Sequence, residues 1–428
     1  MTKGQTLFGE LARTVNSLVA AGRDWLVLRS TSSAIMRRDQ TFAFLVHPRT
    51  EKFTGTDVYG NNDIYRPFPA LRHLFHMLPY RVAEKLLLWF AKTITPIMLS
   101  RIQVQSGDST FKGYLLSTVR TPRLLLTGER NETRAHLAEL FALATKMGVR
   151  RVGLGALLPS MTGYGKRFAM GDPNERPAVS TGHAYTAYTI AEYLKLLVEK
   201  RHPDAQLVRT AIVGAGGSTG KALMRVLKRT WVGPAHLELM LVDIPGKEMS
   251  LRALANEAIA SGRFASVRIA TDLSALHESA YVAVVTNASG TIIKPEHLSE
   301  GTVVIDDSQP RNTSTELAKH GVHVIDVLAR VPGLNCNFDF GFQTEDPTVT
   351  FTCLAETILA TIAGEPTDLA VGEVTDDVVE RTLNIVAHGR KLGLIGELPF
   401  FSFGRELSAT ECEAILVPIQ IPYAPAAE

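Results

Sequence analysis

The stretch LVRTAIVGAGGSTGKALMRVLKR, residues 207–229, joins an apolar run to a helix-like run through a loop with GxxGxxG spacing. In a strand–turn–helix of this kind, one glycine permits the tight turn and a second lets backbone N–H groups approach a pyrophosphate. A third lets the helix pack closely on the strand. The helix N-terminus adds unpaired donors and a partial positive charge. The residues expected to cradle the phosphates are Gly214, Gly216, Gly217, Ser218, Thr219 and Gly220.

Short apolar runs recur at regular intervals beyond this loop. LVRTAIV is followed by HLELMLVD, SVRIA, AYVAVVT, TVVIDD and VHVID, with helical or polar stretches between them. Several of these six runs lack polar alternation, which is typical of strands in a parallel sheet buried on both faces. The loop and the runs together predict an α/β fold, a Rossmann-type doubly wound parallel sheet that binds NAD(P) over residues 204–330.

The second run ends in a carboxylate, Asp243. At this position a carboxylate typically accepts hydrogen bonds from the adenosine ribose and repels a 2′-phosphate, which favours NAD. Lys247 lies nearby in DIPGKE and could instead pair with that phosphate. The alternative is that Asp243 only begins the turn at Pro245 and Gly246.

Two more loops follow strands of the predicted sheet. Parallel strands of a doubly wound sheet expose the loops at their carboxyl ends to the cofactor. TNASG follows the fourth run and gives three candidate cofactor-binding residues, Thr286, Asn287 and Ala288. VVIDDSQP follows the fifth run, where Asp306 is assigned only a supporting role because it could equally cap a turn.

Length and composition limit the class of protein. With 428 residues the chain is too long for one ordinary core, so two or three domains are expected. It carries 45 Lys and Arg against 43 Asp and Glu, which gives no electrostatic signature of a nucleic-acid binder. The 3 cysteines show no CxxC spacing, which argues against a disulfide framework or a metal site and favours a reducing cytoplasm.

No transmembrane segment and no signal peptide are expected. The segment VAEKLLLWFAKTITPIML, residues 82–99, is interrupted by Lys85 and Lys92 and contains Pro96, which would break a spanning helix. Its apolar face with basic flanks could contact a membrane peripherally or cover a lipid-like substrate. Alternatively, it is an amphipathic helix packed on the protein's own core.

The remaining organisation is less regular. Residues 1–100 are expected to form an N-terminal extension, partly amphipathic helical, with a turn-rich break at residues 60–69. A hairpin, the helix NETRAHLAELFALATKMG and the strand VRRVGLGALLP suggest a smaller α/β substrate domain over residues 101–203. Residues 331–428 form a C-terminal segment with a helix that carries a cysteine.

That helix begins in TFTCLAETILA, residues 350–360, with Cys353 at its start. A helix N-terminus favours a thiolate, and its backbone donors can stabilise an oxyanion. With a hydride carrier expected, such a thiolate could attack an acyl group and present the resulting thioester for reduction. The alternative is a packing residue, as most buried cysteines are. Cys336 is the competing nucleophile and ranks behind Cys353.

Five segments, in this order and spacing, resemble the long-chain fatty acyl-[acyl-carrier-protein] reductases, which form aldehydes. They are LGALLPSMTGYG, STGHAYTAYTIAEYL, IVGAGGSTGKAL, the NASG…VVIDDSQPRN region and FTCLAETIL, and the resemblance covers roughly residues 100–365. It implies a Rossmann domain beside a substrate domain, reduction of acyl thioesters with NADPH, and Cys353 as the acyl acceptor. Residues 1–100 are additional, and Asp243 departs from what an NADPH-using enzyme is expected to have, so NADH remains an alternative.

In STGHAYTAY, Tyr188 fits the family pattern, whereas His183 and Tyr185 occupy a variable region. Each of the last two could donate a hydrogen bond or proton near the thioester or could simply begin a long helix. The expected substrate is a long-chain fatty acyl thioester of acyl-carrier protein or coenzyme A. The basic cluster KMGVRR, residues 146–151, could dock an acidic carrier or be a solvated helix end. The alternatives are a non-covalent NAD(P)-dependent semialdehyde or hydroxy-acid dehydrogenase, and a non-catalytic nucleotide sensor.

Overall fold

The computed structural model describes residues 3–30, 38–50, 67–128, 130–232, 236–288, 290–309 and 311–418. The elements of the first half are α1 (Lys3–Arg29), β1 (Arg38–Val46), α2 (Pro69–His76), α3 (Tyr80–Thr93), β2 (Ile97–Ser106), β3 (Ser109–Ser117), α4 (Pro122–Thr127), α5 (Arg130–Lys146), β4 (Val149–Leu154), α6 (Leu158–Met161), β5 (Ala178–Ser180) and α7 (His183–Arg201). The expected turn-rich break at residues 60–69 lies mostly outside the described residues.

The second half alternates short strands and helices up to α9 and then becomes less regular. Its elements are β6 (Leu207–Val213), α8 (Ser218–Thr230), β7 (His236–Val242), α9 (Glu248–Ala260), β8 (Ser266–Ala270), β9 (Tyr281–Val284), β10 (Val303–Asp306), β11 (His323–Asp326), β12 (Leu328–Arg330), β13 (Leu334–Cys336), β14 (Val349–Phe351), α10 (Thr352–Ile362), α11 (Asp376–Lys391), β15 (Phe401–Ser402), β16 (Arg405–Glu406) and α12 (Ala409–Leu416). Short 3₁₀ helices cover Leu273–Glu278, Pro295–His297 and Thr315–His320.

The chain divides into two compact units. The first unit comprises residues 1–185 and 329–397, and the second comprises residues 186–328 and 398–428. This grouping differs from the expected boundaries at 100, 203 and 330. Residues 1–100 are not an extension, because β1 lies inside the first unit's sheet between β3 and β4. The unit expected to be the smaller one is therefore the larger, since residues 1–100 and 329–397 join it.

The first unit is built on a six-stranded mixed sheet. Its order is β13-β2-β3-β1-β4-β5, with the predicted β2–β3 hairpin antiparallel and β3, β1, β4 and β5 parallel. Ala43 and Leu45 share a buried cluster with Leu140 of α5. On the other face, a Cβ at Gly153 would lie 1.9 Å from Thr357 Oγ1, which brings α10 against β4. The sheet is thus covered on both faces, with the cysteine helix on one of them.

The second unit contains a six-stranded parallel sheet ordered β11-β10-β9-β6-β7-β8. Numbered within the unit, this is the 3-2-1-4-5-6 order of the Rossmann fold. All six predicted strands are confirmed. The strand order reverses between β6 and β9, and in such sheets ligands bind at the carboxyl ends of the strands beside this reversal. The glycine loop follows β6 at that point.

The apolar segment at residues 82–99 is not one element. α3 ends at Thr93 and β2 begins at Ile97, because Pro96 lacks the N–H that a continuing helix needs. Ala83, Leu87 and Ala91 face inward, as expected of an amphipathic helix packed on the protein's own core. Among the helices that the structure describes, none combines the length and the apolar character needed to cross a membrane.

Candidate active site

The glycine loop follows β6 and opens α8 in the second unit. Gly214 adopts a left-handed φ of +86°, and a Cβ there would lie 3.0 Å from the carbonyl oxygen of Val285. A Cβ at Gly220 would lie 2.4 Å from the Gly214 carbonyl oxygen, so this glycine allows the close approach of helix and strand. Gly217 is the N-cap of α8, and as a glycine it has no side chain that could cap the helix. Ser218 and Thr219 are the first two residues of α8. The loop therefore has the close-packed form that suits a pyrophosphate at a helix N-terminus.

Asp243 is part of this loop rather than only the start of a turn. Its Oδ2 accepts a hydrogen bond from the Gly216 N–H at 2.8 Å, and its Oδ1 accepts from the Ile244 N–H at 2.8 Å. The side chain is half-buried, and a Cβ at Gly216 would lie 2.9 Å from Oδ2. A carboxylate is therefore fixed beside the glycines, where it suits a ribose hydroxyl and opposes a phosphate.

The loop after β9 borders the glycine loop. A Cβ at Gly214 would lie 3.1 Å from Thr286 Cα, and the Ala288 N–H donates to Thr286 Oγ1 at 3.1 Å. Asn312, fully buried, holds the end of this loop by donating from Nδ2 to the carbonyl oxygens of Ala288 and Gly290, each at 2.9 Å. This loop, residues 286–288, therefore follows β9, the strand that was predicted to expose it to the cofactor. The sequence alone did not predict this supporting role of Asn312, because its partners lie more than twenty residues earlier in the chain.

Two adjacent carboxyl groups, those of Asp306 and Asp307, lie at the carboxyl end of β10. Asp306 accepts hydrogen bonds from the Ser308 N–H at 2.9 Å and from Thr313 Oγ1 at 2.6 Å, which makes it the turn cap named as one alternative. Burial, and then the charge of Asp306, raise the pKa of Asp307 well above its ordinary value. Asp307 thus places a carboxyl with a raised pKa at the carboxyl edge of the sheet, and no sequence pattern distinguished it from Asp306.

Cys353 lies at the start of α10 in the first unit, where its side chain is half-buried. The N-cap residue Phe351 supplies no side-chain hydrogen bond. Gly182 lies against the cysteine with φ of +83°, and a Cβ there would be 2.3 Å from Cys353 Cβ. The sequence places these two residues far apart, and the fold brings the start of α7 directly onto the start of α10.

Glu356 holds the two helix starts together. Its Oε1 accepts from Ser180 Oγ at 2.6 Å and from the Gly182 N–H at 2.8 Å, and its Oε2 accepts from the Tyr185 N–H at 2.8 Å. Two first-turn donors of α7 are thus satisfied by one carboxylate from another helix. Burial raises the pKa of Glu356, whereas the three donors and Arg151 lower it. Sequence reasoning missed this residue.

His183 follows Gly182 and is half-buried. Its Nδ1 is 2.8 Å from Thr181 Oγ1, and the Thr181 hydroxyl donates to the Ala370 carbonyl oxygen at 2.6 Å. Because the single hydroxyl proton is used there, Nδ1 of His183 must donate to Thr181, which leaves Nε2 with its lone pair. Burial lowers the pKa of His183 to about 4, so the ring is neutral near pH 7. His183 can accept a proton at Nε2.

The two tyrosines are buried side chains of α7. Tyr185 is 4% exposed and contributes its backbone N–H to Glu356, and Tyr188 is 5% exposed. Tyr185 belongs to the first unit and Tyr188 to the second. The structure therefore connects Tyr185 to the cysteine helix through its backbone. Catalysis by either ring remains a prediction.

A group of half-buried phenylalanines surrounds Phe351, two residues before Cys353. The ring centroids of Phe342 and Phe351 are 5.0 Å apart, and those of Phe340 and Phe351 are 5.7 Å apart. Phe338 packs edge-on against Phe340. By contrast, the leucines of LGALLP are buried core residues. The alternating FDFGF pattern was the available sequence signal for this apolar surface.

The other two thiols are less suited to nucleophilic attack. Burial raises the pKa of Cys336, which lies in the edge strand β13. Burial, and then the charges of neighbouring glutamates, raise the pKa of Cys412. Since the thiolate is the reactive form, both cysteines are disfavoured. Within the described ranges, no group of three or more His, Cys, Asp or Glu side chains is arranged to hold a metal ion.

The cations of the basic cluster at residues 146–151 have partners within the protein. Lys146 donates to the carbonyl oxygen of Ser30 at 2.8 Å, and Arg150 bonds Asp39 at 2.7 Å. Arg151 is fully buried and donates to the carbonyl oxygens of Glu365 and Thr367. The expectation of a solvated helix end is therefore wrong, because these cations bind the protein's own backbone and carboxylates, whereas docking of a carrier here stays a prediction.

Comparison with known proteins gives one sequence relative and several solved structures. The chain is 25% identical over 197 residues to a long-chain acyl-[acyl-carrier-protein] reductase of Synechococcus elongatus, with 45% of this chain covered. It spans about half of that relative, 54% of its length. No protein-family model matches the chain.

Two solved structures illustrate the likeness in fold. Quinate dehydrogenase from Corynebacterium glutamicum in complex with NAD is 14% identical, with a TM-score of 0.29 over 64% of this chain and 88% of that one. The iminosuccinate reductase of Paracoccus denitrificans in complex with NAD⁺ is 17% identical, with a TM-score of 0.27 over 53% of this chain and 71% of that one. At these TM-scores the assignment of the Rossmann fold rests on strand order and on the glycine loop.

Proposed function

We propose that the protein is a nicotinamide-dependent reductase that converts a long-chain fatty acyl thioester to the aldehyde through a thioester on Cys353. The observation that carries this proposal is the placement of Cys353 at the start of α10, against Gly182, whose neighbour in sequence is the neutral His183. The distant likeness to an acyl-[acyl-carrier-protein] reductase supports the choice of substrate. Acyl-carrier protein and coenzyme A both present the acyl group on a phosphopantetheine thiol.

In the first half of the reaction, the Cys353 sulfur attacks the acyl carbonyl carbon. His183 takes the thiol proton at Nε2, which the Thr181 contact leaves as the acceptor. The carbon–sulfur bond to the carrier breaks, and the carrier thiolate takes up that proton as it leaves. Backbone N–H groups at the start of α10 stabilise the negative oxygen.

The residues that would hold the dinucleotide are the glycine loop, Asp243 and the loop at residues 286–288. A bound nicotinamide would supply the hydride that reduces the acyl carbon. After reduction, the bond from that carbon to the Cys353 sulfur breaks, the aldehyde leaves, and the Cys353 thiolate takes a proton from solvent. The phenylalanines beside Phe351 offer the apolar surface for the first carbons of the chain.

The test separates covalent chemistry from cofactor binding. We expect intact-mass spectrometry to show one acyl adduct when palmitoyl-coenzyme A is supplied without cofactor. Cys353→Ala should lose the adduct and aldehyde formation but keep NADH binding in a fluorescence titration. Cys336→Ala and Cys412→Ala serve as matched controls and should keep the adduct.

Each contrary outcome indicates a different function. Cofactor oxidation without an adduct would indicate a non-covalent dehydrogenase. Cofactor binding without any thioester-dependent oxidation would indicate a nucleotide sensor.

A further inference from the structure

The outward face of α1 is apolar along the whole helix. Phe8 is 75% exposed, Val19 66% and Leu26 63%. These side chains recur at helical spacing and so lie on one face of the helix. The exposed apolar residues that share this face include Phe8, Leu11, Val15, Val19, Trp25 and Leu26. A continuous face of this size on a soluble surface indicates an interaction site.

Three polar side chains of α1 point inward beside the buried Ala21. Glu10 bonds His73 of α2 at 2.5 Å, Thr14 accepts from the Ala70 N–H at 2.9 Å, and Asp24 accepts from the Met98 N–H at 2.8 Å. The polarity of this helix is therefore opposite to that of an ordinary surface helix, whose apolar stripe faces the core. Since these hydrogen bonds fix the orientation of the helix, its apolar face is held outward.

The neighbouring helix α3 adds a second outward apolar face. Val82, Leu86 and Trp89 follow i, i+4, i+7 spacing and are all exposed, with Trp89 at 63%. Their helix buries Leu87 in the same core cluster to which α1 contributes Ala21. Two of the protein's 3 tryptophans, Trp25 and Trp89, are therefore on these outward faces, and tryptophan is favoured at the boundary between lipid and water.

The exposed charged side chains of α1 and α3 are cationic, and two of them are paired, Arg23 with Asp24 and Lys92 with Glu132 of α5. Among the side chains that the structure describes on α1 and α3, the acidic Glu10 and Asp24 are buried and Glu84 is half-buried. The exposed ionic side chains are Arg13, Arg23, Arg29, Arg81, Lys85 and Lys92. Two copies of such a face would bring like charges together, whereas an anionic surface would neutralise them.

We propose that α1 and α3 bind the surface of a bilayer that contains anionic lipids. Apolar side chains with aromatic residues enter the headgroup region, and arginine and lysine pair with lipid phosphates. With 27 residues, α1 is about 40 Å long, which suits a flat surface. The helices lie on the membrane and do not cross it. This surface is separate from the thioester chemistry, so either proposal can fail alone.

The experiment measures binding of the full chain to vesicles of phosphatidylcholine alone or with phosphatidylglycerol. We expect co-sedimentation with the anionic vesicles, weakened by salt, and a blue shift of tryptophan fluorescence. The variant Phe8→Ser/Val19→Ser/Leu26→Ser should lower vesicle affinity by roughly a hundredfold. Arg29→Gln and Lys85→Gln should each lower it by roughly fivefold on anionic vesicles.

A control removes exposed apolar side chains from the second unit. Val232→Ser/Ile259→Ser/Val417→Ser changes side chains that are 71%, 56% and 52% exposed and should leave vesicle binding unchanged. Both triple variants should unfold at the temperature of the wild type, because the changed side chains face water. Absence of binding to anionic vesicles overturns the proposal. The proposal is also overturned if the Phe8 triple variant keeps vesicle binding but loses self-association. The same holds if it keeps vesicle binding but loses binding of isolated acyl-carrier protein.

Discussion

Gly182 and Cys353 lie so close that a methyl group on Gly182 would be 2.3 Å from Cβ and 2.6 Å from Cα of Cys353. Neither atom is the flexible end of a side chain, so the overlap cannot be relieved by a rotamer change. The backbone of Gly182 also has a φ of +83°, a region that side chains with a Cβ disfavour. The position of the thiol therefore depends on a residue 171 positions earlier having no side chain.

Gly182→Ala should disrupt the cysteine site. We expect a destabilisation of about 1–3 kcal/mol from the left-handed backbone and about as much again from the overlap, measured by urea unfolding. Alkylation of Cys353 and thioester reduction should fall together. The matched control is Gly107→Ala, since Gly107 has φ of +54° with open space around its Cβ. Equal losses of stability in the two variants would show that only backbone strain matters.

Glu356→Gln should misplace Cys353 without affecting the second unit. Oε2 accepts from the Tyr185 N–H, and an amide NH₂ in its place would oppose that donor and leave it buried without a partner. The expected cost is about 1–3 kcal/mol. We expect the rate of Cys353 alkylation by iodoacetamide and kcat to fall roughly tenfold, with NADH affinity unchanged.

The control for this variant is Glu380→Gln on the exposed face of α11, which should change neither rate. A Glu356→Gln protein with reduced stability but wild-type alkylation and kcat would show a purely structural carboxylate. Loss of NADH affinity would also contradict the assigned role.

Phe342→Ala should alter the preference for acyl chain length. The Phe342 ring lies 5.0 Å from that of Phe351, the N-cap residue of the cysteine helix. If this aromatic surface receives the chain, its loss should reduce kcat/KM for a palmitoyl thioester roughly tenfold more than for a butyryl thioester. The control is Phe141→Ala on α5, which removes the stacked contact of Phe141 with Phe168. An equal effect of Phe342→Ala on both chain lengths would remove the proposed role.

The sequence predicts elements whose signal is local. Residues 207–213, 281–284 and 303–306 are apolar runs, and each forms a strand of the second sheet because burial on both faces needs no polar alternation. The N-cap Thr375 of α11 and Pro203, two residues beyond the end of α7, are likewise local signals. The glycine loop combines three such signals, and its role in the strand–loop–helix unit is confirmed.

Features that depend on distant pairing were not predictable. β1 lies between β3 and β4, so its neighbours are more than sixty residues away in sequence. Glu356 is visible in TCLAETILATI as a carboxylate in an apolar helix, which indicates a buried partner. Nothing in that pattern identifies the partners as the N–H groups of Gly182 and Tyr185. Arg151 was misinterpreted for the same reason, since its acceptors lie beyond residue 360.

Asp243→Ser should shift cofactor preference toward NADPH. The carboxylate beside Gly216 opposes a 2′-phosphate, and its removal relieves that repulsion. We expect the ratio of kcat/KM for NADPH over NADH to rise roughly tenfold or more. Because the serine is shorter, the Gly216 N–H also loses its acceptor, so both cofactors should bind somewhat less tightly. Lys247→Ala is the companion variant and should lower the use of NADPH alone if Lys247 pairs with the phosphate.

His136 should make the first unit less stable in mild acid. Burial, and then the Arg120 charge, lower its pKa from 6.5 to about 3. Between these values the unfolded chain binds a proton and the folded chain does not, so the free energy of unfolding falls as pH falls. The slope from one such histidine is about 1.4 kcal/mol per pH unit. His136→Gln should remove that slope from urea unfolding measured between pH 6 and pH 5, whereas His388→Gln, at an exposed position on α11, should not.

His183, with a pKa lowered to about 4, adds the same dependence over a shorter range, so the His136 variant keeps part of the acid sensitivity. A wild-type free energy of unfolding that stays constant from pH 6.5 to pH 4.5 would mean that the folded protein also binds these protons, which would contradict the lowered pKa of both histidines.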